Sequence, residues 1–230
     1  MQIRINRRSR GFSLIEMMVV LTVVAILMAF AAPNLFSLIS SSTLTGEGTV
    51  IQNQMTLAQQ TAISKSADVE VRFFKFADDA SAQLDEAFRA FQLYQYQPDG
   101  DMVPISEFFR IRPPVAIHEN LSTLVQASTG GSAEERQLGF SSPRYESGDP
   151  DNPVPIKRSG TEVAPYVAFR FRPDGSTDLP YRAQGSGGGR NDTWYLTLVQ
   201  GEGALQSDAP DNYMCLQVNP YNGKINVFRP

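Results

Sequence analysis

The sequence predicts an α+β fold in which one long amino-terminal helix packs on a domain of antiparallel β-sheet. The first observation is an apolar run from Met17 to Ala32, in which Thr22 is the one polar residue. The second is a change after residue 66, where apolar and polar residues alternate in segments separated by Gly, Pro and Asn, as in sheet proteins. A chain of 230 residues has room for this helix and one globular domain.

The amino-terminal segment has the charge pattern of a membrane anchor. Its first eleven residues contain four arginines, Arg4, Arg7, Arg8 and Arg10, and no acid. Residues 12–32 that follow are enough to cross a hydrocarbon layer of ~30 Å as a helix. Because positive residues stay on the cytoplasmic side, everything after Pro33 is predicted to lie outside the cytoplasm.

Glu16 is the acid within this apolar segment. A carboxylate inside a membrane helix costs about 2.5–3.5 kcal/mol. One interpretation is that Glu16 lies near enough to the membrane edge to reach lipid headgroups. The other is that a positive group meets it in an assembled state, and a free amino terminus would serve if the chain were cut just before Phe12.

The basic leader, Gly11, Phe12, Glu16 as the fifth residue after the glycine, and the apolar helix resemble the class III signal of type IV pilins and type II secretion pseudopilins. The resemblance implies that a prepilin peptidase cuts after Gly11 and methylates the new amino-terminal Phe12. It also implies that Glu16 pairs with this amine on a neighbouring subunit during filament assembly. An ordinary secretory signal peptide, cut near residues 29–31, is the alternative, but it leaves Glu16 unexplained.

Beyond the anchor the helix is predicted to continue. Pro33 cannot donate a helical hydrogen bond, and its ring collides with the carbonyl of Ala29, so a kink is expected there. One apolar stripe then recurs at helical spacing and suits packing on a sheet: Ile51, Met55, Ala58 and Ala62. The helix is predicted to end near Ser66. This divides the chain into a leader (1–11), a helix (12–66, with 12–32 as its transmembrane half) and a β-rich domain (67–230).

The strands of that domain are predicted from alternation and from turn residues. The first strand begins at Asp68. The others occupy residues 88–96, 163–172, 194–200, 213–218 and 224–228. Phe74 and Phe76 break the alternation of the first strand, which predicts a bulge. Residues 107–111 precede two prolines and therefore form only a short or edge element. Asn222-Gly223 predicts a hairpin between the last two strands.

Two turn patterns in residues 163–228 give a second resemblance. Phe171-Arg172-Pro173-Asp174-Gly175, an apolar strand, and a hairpin of the form Asn-Pro-x-x-Gly-Lys-Ile are similar to H-type minor pseudopilins and their minor pilin relatives. Adhesive pilins also carry a carboxy-terminal disulfide loop. With Cys215 as its single cysteine this chain has no internal disulfide, which favours the pseudopilin or minor-pilin side. The strand around Cys215 predicts burial of the thiol rather than pairing between chains.

The remaining loops carry weak signals. Residues 128–160 are rich in Gly, Ser, Pro and Asp, and are predicted to form a long irregular insertion, either a mobile surface loop or a partner-binding loop. The glycine-rich residues 185–189 lack the Lys-Ser/Thr partner of a phosphate loop and are interpreted as a linker. Two oxygen-rich clusters would suit calcium but match no loop consensus: Asp149, Asp151 and Asn152, and Asp208, Asp211 and Asn212. No metal and no cofactor are predicted.

The composition offers little for catalysis or nucleic-acid binding. The net charge is −4, and without the four leader arginines it is −4 − 4 = −8, so a basic surface for nucleic acid is not expected. The one histidine, His118, is interpreted as structural. No Gly-x-Ser-x-Gly elbow and no zinc-type His/Cys spacing occur in the sequence. The sequence therefore predicts a non-enzymatic protein.

The predicted function is that of a structural subunit, a minor pseudopilin or minor pilin. It would be anchored in the inner membrane by a single pass, with its carboxy-terminal domain in the periplasm or outside the cell. Its partners would be prepilin peptidase and other pilin or pseudopilin subunits, and no nucleic acid. The alternative is a membrane-tethered periplasmic enzyme or binding module whose anchor merely looks pilin-like.

Overall fold

The computed structural model describes residues 12–77, 86–125, 144–146, 164–179, 194–200, 210 and 212–230. Within these ranges, the side chains of residues 31–40, 77, 86 and 144–146 are not described. The chain divides into two compact units, Met1–Ser41 and Ser42–Pro230. The predicted boundaries at residues 11 and 66 remain predictions.

One helix, α1, spans Leu14–Lys65. Its carboxy-terminal end is a Schellman motif, in which the N–H of Ala67 donates to the carbonyl of Ala62 at 3.2 Å and the N–H of Ser66 to that of Ile63 at 3.4 Å. Ser66 occupies the left-handed position of this motif with φ 51°. The helix therefore ends at Lys65. The backbone is helical through Pro33, and the kink there stays a prediction.

Ten strands of the described residues form one sheet in which every pair is antiparallel. They are β1 (Val69–Ala77), β2 (Glu86–Tyr96), β3 (Met102–Pro104), β4 (Phe109–Arg110), β5 (Val115–Ile117), β6 (Arg144–Glu146), β7 (Tyr166–Phe171), β8 (Trp194–Gln200), β9 (Tyr213–Val218) and β10 (Ile225–Phe228). The order across the sheet is β10-β9-β8-β5-β2-β1-β7-β6, and β3 and β4 also pair with β2. The predicted α+β class with an antiparallel sheet is confirmed.

Most strand predictions are confirmed. The bulge predicted in the first strand lies opposite Phe74, but its extra residue belongs to the partner strand, β2. The register of β1 and β2 shifts between Phe74 and Lys75, because Arg89 of β2 has no opposite residue. Three short strands, β3, β5 and β6, were not predicted. β6 lies inside the insertion predicted to be irregular, and the other residues of 128–160 are outside the described residues. β5 follows two prolines and has only three residues, too few to show alternation.

The core of the second unit lies between the sheet and the helix residues that follow Ser41. Ile51, Met55, Ala58 and Ala62, the predicted stripe, are all at most 1 % exposed, and Leu44 extends the stripe by two turns. A Cβ at Gly48 would overlap the Sδ of Met214 in β9, so a glycine allows the helix to approach the sheet closely there. The amphipathic pattern of the sequence is therefore what positions the helix on the sheet.

The opposite face of the central strands is buried as well. Phe74, Tyr94 and Tyr166 form a second apolar cluster there, and Phe108 packs against it. The ring of Phe74 lies 5.2 Å from that of Phe108 and 5.6 Å from that of Tyr166. The cover on this outer face was not predicted from the sequence.

Candidate functional site

The start of α1 is defined by Ser13. Its Oγ accepts a hydrogen bond from the N–H of Glu16 at 3.3 Å, and its carbonyl accepts one from the N–H of Met17 at 3.2 Å. Ser-x-x-Glu is the sequence pattern of a helix capping box, and Ser13 occupies its N-cap position. Phe12 and Ser13 therefore lie outside the helix, which begins at Leu14.

Glu16, the predicted assembly residue, lies in the first turn of α1 and is exposed. The N-terminal turn of a helix carries unpaired N–H groups and a partial positive charge, so it favours a carboxylate. A carboxylate in the first turn therefore destabilises the helix less than a carboxylate farther along it would. The Glu16 side chain is therefore both exposed and favourably placed for the helix.

The helix that follows is apolar on all sides. Between Phe12 and Phe30 the large apolar side chains are 40–79 % exposed. Thr22 directs its hydroxyl to the carbonyl of Met18 at 2.8 Å, which satisfies its donor within the helix. A helix that is hydrophobic all round requires cover from lipid or from protein.

The remaining predicted site residues are placed only in part. Phe12 is 75 % exposed. Gly11 is outside the described residues, as is the side chain of Pro33. The predicted transmembrane half, residues 12–32, extends past the last described side chain of this segment, that of Phe30. Among the residues that the structure describes, no helix has both the length and the apolarity needed to cross a membrane.

In the second unit, one helix side chain joins two turns. The Nε2 of Gln59 donates to the carbonyl of Gly175 at 2.9 Å and to the carbonyl of Asn222 at 2.6 Å. Gly175 closes the turn after β7, and Asn222 lies in the turn between β9 and β10. We call Gln59, Gly175, Asn222 and Gly223 the turn junction. It brings together the two turn patterns on which the second resemblance depends.

The glycines of the turn junction are required by geometry. Gly175 has φ 83° and Gly223 has φ 62°, values that residues with a Cβ rarely adopt. A Cβ at Gly223 would also overlap the carbonyl oxygen of Gly175. Beside them, Asp174 accepts hydrogen bonds from the Oγ of Ser176 at 2.6 Å and from its N–H at 2.9 Å, and these bonds lower the pKa of the Asp174 carboxyl. The sequence carries no signal for the role of Gln59, because a glutamine beside the apolar stripe has the pattern of a solvated residue.

An ion pair lies buried on the outer face of the sheet. Arg72 and Glu70 are paired at 2.7 Å, with their side chains 0 % and 3 % exposed. The hydroxyl of Tyr96 donates to Glu70 at 2.9 Å, and the guanidinium of Arg72 lies over the rings of Tyr94 and Tyr166 at 4.1 and 4.5 Å. The charges of Glu70 and Arg72 are paired with each other and hydrogen-bonded inside the protein. We therefore interpret this cluster as structural rather than reactive.

The two residues with the strongest potential for chemistry are also held by the fold. His118 is fully buried, and its Nδ1 accepts the N–H of Leu121 at 3.2 Å. Cys215 is half-buried, so the predicted burial of its thiol is incomplete. Burial raises the pKa of its thiol, and the hydroxyl of Thr197, 3.7 Å from the Sγ, acts in the opposite direction.

No group of His, Cys, Asp and Glu able to hold a metal ion occurs within the described residues. Asn212 is the one described member of the two oxygen-rich clusters. Its amide donates to Gln200 at 3.4 Å and its carbonyl oxygen accepts from Arg229 at 3.3 Å. The rest of those clusters, and residues 185–189, lie outside the part of the chain that the structure describes.

Comparison with known proteins identifies the amino-terminal segment. A family model for the prokaryotic N-terminal methylation motif matches residues 6–32. This match confirms the predicted resemblance of the segment to prepilins. No curated protein matches the chain.

One solved structure with a similar layout is the minor pseudopilin EpsH from the type 2 secretion system of Vibrio cholerae. The similarity covers 81 % of this chain and 97 % of that chain, with 10 % sequence identity and a TM-score of 0.38. A similarity of this size carries no functional argument.

Proposed function

We propose that this chain is a structural subunit, a minor pseudopilin or minor pilin, of a type II secretion pseudopilus or type IV pilus-like filament. The observation that carries the proposal is the methylation motif at residues 6–32. It coincides with a helix whose apolar side chains are exposed on every side from Phe12 to Phe30. A folded domain follows on the same chain. The apolar helix would therefore attach this domain to a membrane or to a filament.

Processing would create the group that Glu16 needs. Prepilin peptidase would cut between Gly11 and Phe12 and methylate the new amino terminus, which stays positively charged. In a bundle of apolar helices an unpaired carboxylate is costly, whereas a carboxylate that meets an ammonium group and keeps its hydrogen bonds is tolerated. Pairing of Glu16 with the Phe12 amine of a neighbour would therefore set the axial position of each added subunit.

Before assembly the chain would be held in the inner membrane by a single pass. The four arginines of the leader would keep it on the cytoplasmic side, and the apolar residues that follow would lie in lipid. The second unit would then fold in the periplasm. On joining a filament, the apolar side chains would exchange lipid for neighbouring helices, so lateral packing would supply most of the cohesion.

The test is the amino-terminal sequence and mass of the mature protein from cells that contain the peptidase. A mature chain that begins with methylated Phe12 supports the proposal. An intact Met1 or a start near Ala32 supports instead a tethered protein or an ordinary signal peptide. A strain without the peptidase serves as the control, because there the full-length chain should accumulate.

A further inference from the structure

We propose that the outer edge of β10 is a docking site for an extended, acidic segment of a partner protein, which would add to the sheet as one more strand. β10 (Ile225–Phe228) ends the order of strands, and β9 is its one strand neighbour within the residues that the structure describes. A strand at the edge of a sheet presents backbone groups to which a further strand can bond. This edge belongs to the second unit and would serve a tethered protein as well as a filament subunit.

The hydrogen bonds between β9 and β10 show which backbone groups point away from β9. The N–H of Asn219 donates to the carbonyl of Lys224 at 3.0 Å, and the register of β10 on β9 is unbroken from there. Because antiparallel strands bond at every second residue, the second and fourth residues of β10 bond β9. The first and third, Ile225 and Val227, therefore direct their N–H and C=O groups to the open side. An added antiparallel strand would make a pair of hydrogen bonds with each of them.

The sequence of β10 does not protect this edge. Proteins commonly prevent the pairing of edge strands with a proline, a charge inside the strand or a bulge. On the other side of β2, for example, Pro104 lies inside the short strand β3. Between Lys224 and Arg229 the chain has neither a proline nor a charge. The edge of β10 is therefore suited to accept a strand.

The charges around β10 determine the chemistry of the partner. Residues 212–230 contain Lys224 and Arg229 and no acid, in a chain whose net charge is −4. The two cations flank the strand and are exposed. An acidic strand would complement them, because opposite charges on neighbouring strands attract. A second copy of β10 suits the edge less well, because antiparallel pairing would place Lys224 of each copy beside Arg229 of the other.

The side chains of β10 define the pattern of the added strand. Val227 lies opposite the buried Leu216 and belongs to the core face, whereas Phe228 belongs to the outer face, and both are exposed. Lys224 shares the outer face with Phe228, because residues four apart in a strand point the same way. A strand with apolar residues on the core face and acids on the outer face would therefore match this edge.

The test is the binding of synthetic peptides to the full chain in a mild detergent, followed by calorimetry. The probe is an octapeptide that alternates valine and glutamate and is blocked at both ends. Its valine amides would bond β10, so N-methylation of two of them should weaken binding by about tenfold or more. The matched control is the same peptide with two methylated glutamate amides, which would point away from β10 and should bind within about twofold.

Variants of β10 test the same contact from the side of the protein. V227P removes an N–H on the open side and leaves the bonds to β9 in place, so it should weaken binding about tenfold. V227T keeps that N–H and should bind within about twofold. The fluorescence of the buried Trp194 shows whether each variant is folded. If V227P does not fold, the two methylated peptides decide the question.

Several results would overturn the proposal. The first is no binding of the unmodified peptide, and the second is equal binding of the two methylated peptides. Equal binding of a peptide that alternates valine and lysine would rule out an acidic partner. Equal binding of single-stranded DNA would show that positive charge alone holds the ligand. Dimers of the natural chain that V227P dissociates would assign the edge to a second copy instead.

Discussion

Replacement of Gln59 by alanine should destabilise the second unit far more than the same change at Gln60. The Nε2 of Gln59 bonds the carbonyls of Gly175 and Asn222 at 2.9 and 2.6 Å, whereas Gln60 is exposed on the helix. Each hydrogen bond contributes about 1 kcal/mol net, so Q59A should lower the free energy of unfolding by about 2 kcal/mol. Q60A should change it by less than about 0.5 kcal/mol.

Urea unfolding of the full chain in a mild detergent measures this difference. Trp194 is the single tryptophan and is fully buried, so its fluorescence reports unfolding of the sheet. A difference of 2 kcal/mol in a domain of this size corresponds to roughly 4–8 °C in Tm. Equal midpoints for Q59A and Q60A would show that the turn junction does not hold the helix to the turns.

A double-mutant cycle sharpens the test. A Cβ at Gly223 would overlap both the carbonyl oxygen of Gly175 and the Nε2 of Gln59. G223A should therefore cost less in the Q59A background than in the natural chain, because one of the two clashes has been removed. Simple addition of the two losses would contradict a shared contact, since independent sites add.

The remaining predictions concern the assembly residue, the helix end and the thiol. Under the proposed function, E16A should still be processed, with Phe12 as its new amino terminus, but should be missing from isolated filaments, because it would lack the charge proposed to pair with a neighbour. Incorporation of E16A at the level of T22A would contradict this role of Glu16. Ser66 has φ 51°, so S66G should raise the free energy of unfolding by about 0.5–1 kcal/mol, whereas S64G inside the helix should lower it by a similar amount. Burial favours the neutral thiol of Cys215, so alkylation in the folded chain should need a higher pH than in urea; identical pH profiles would show that the fold does not shield it.

The sequence predicted the elements whose signals are local. The apolar stripe from Ile51 to Ala62 predicts the packing of the helix on a sheet. Alternation of apolar and polar residues between turn residues predicts the long strands. The cap formed by Ser13 was not predicted, although Ser-x-x-Glu is a local pattern. The match at residues 6–32 is predictable for the same reason, because the methylation motif is a contiguous pattern.

What the sequence did not show depends on distant residues. Gln59 lies more than a hundred residues from Gly175 along the chain, and the residues around Gln59 give no sign of that contact. Glu70 and Arg72 alternate with buried valines, which is the pattern of residues that face water. They are buried because Tyr94, Tyr96 and Tyr166 from other strands contact them. Strand β5 is too short to carry a period, although it pairs with both β2 and β8.

The position of β5 has a mechanical consequence. Within the described residues, the sheet half formed by β8, β9 and β10 reaches the other half through three residues, and β5 meets β2 at one pair, Phe88 and Ile117. The sheet thus has a seam. A pulling force on this sheet would separate it first along this line, and the amides of β8 and β9 should exchange with solvent as one block before those of β1 and β2.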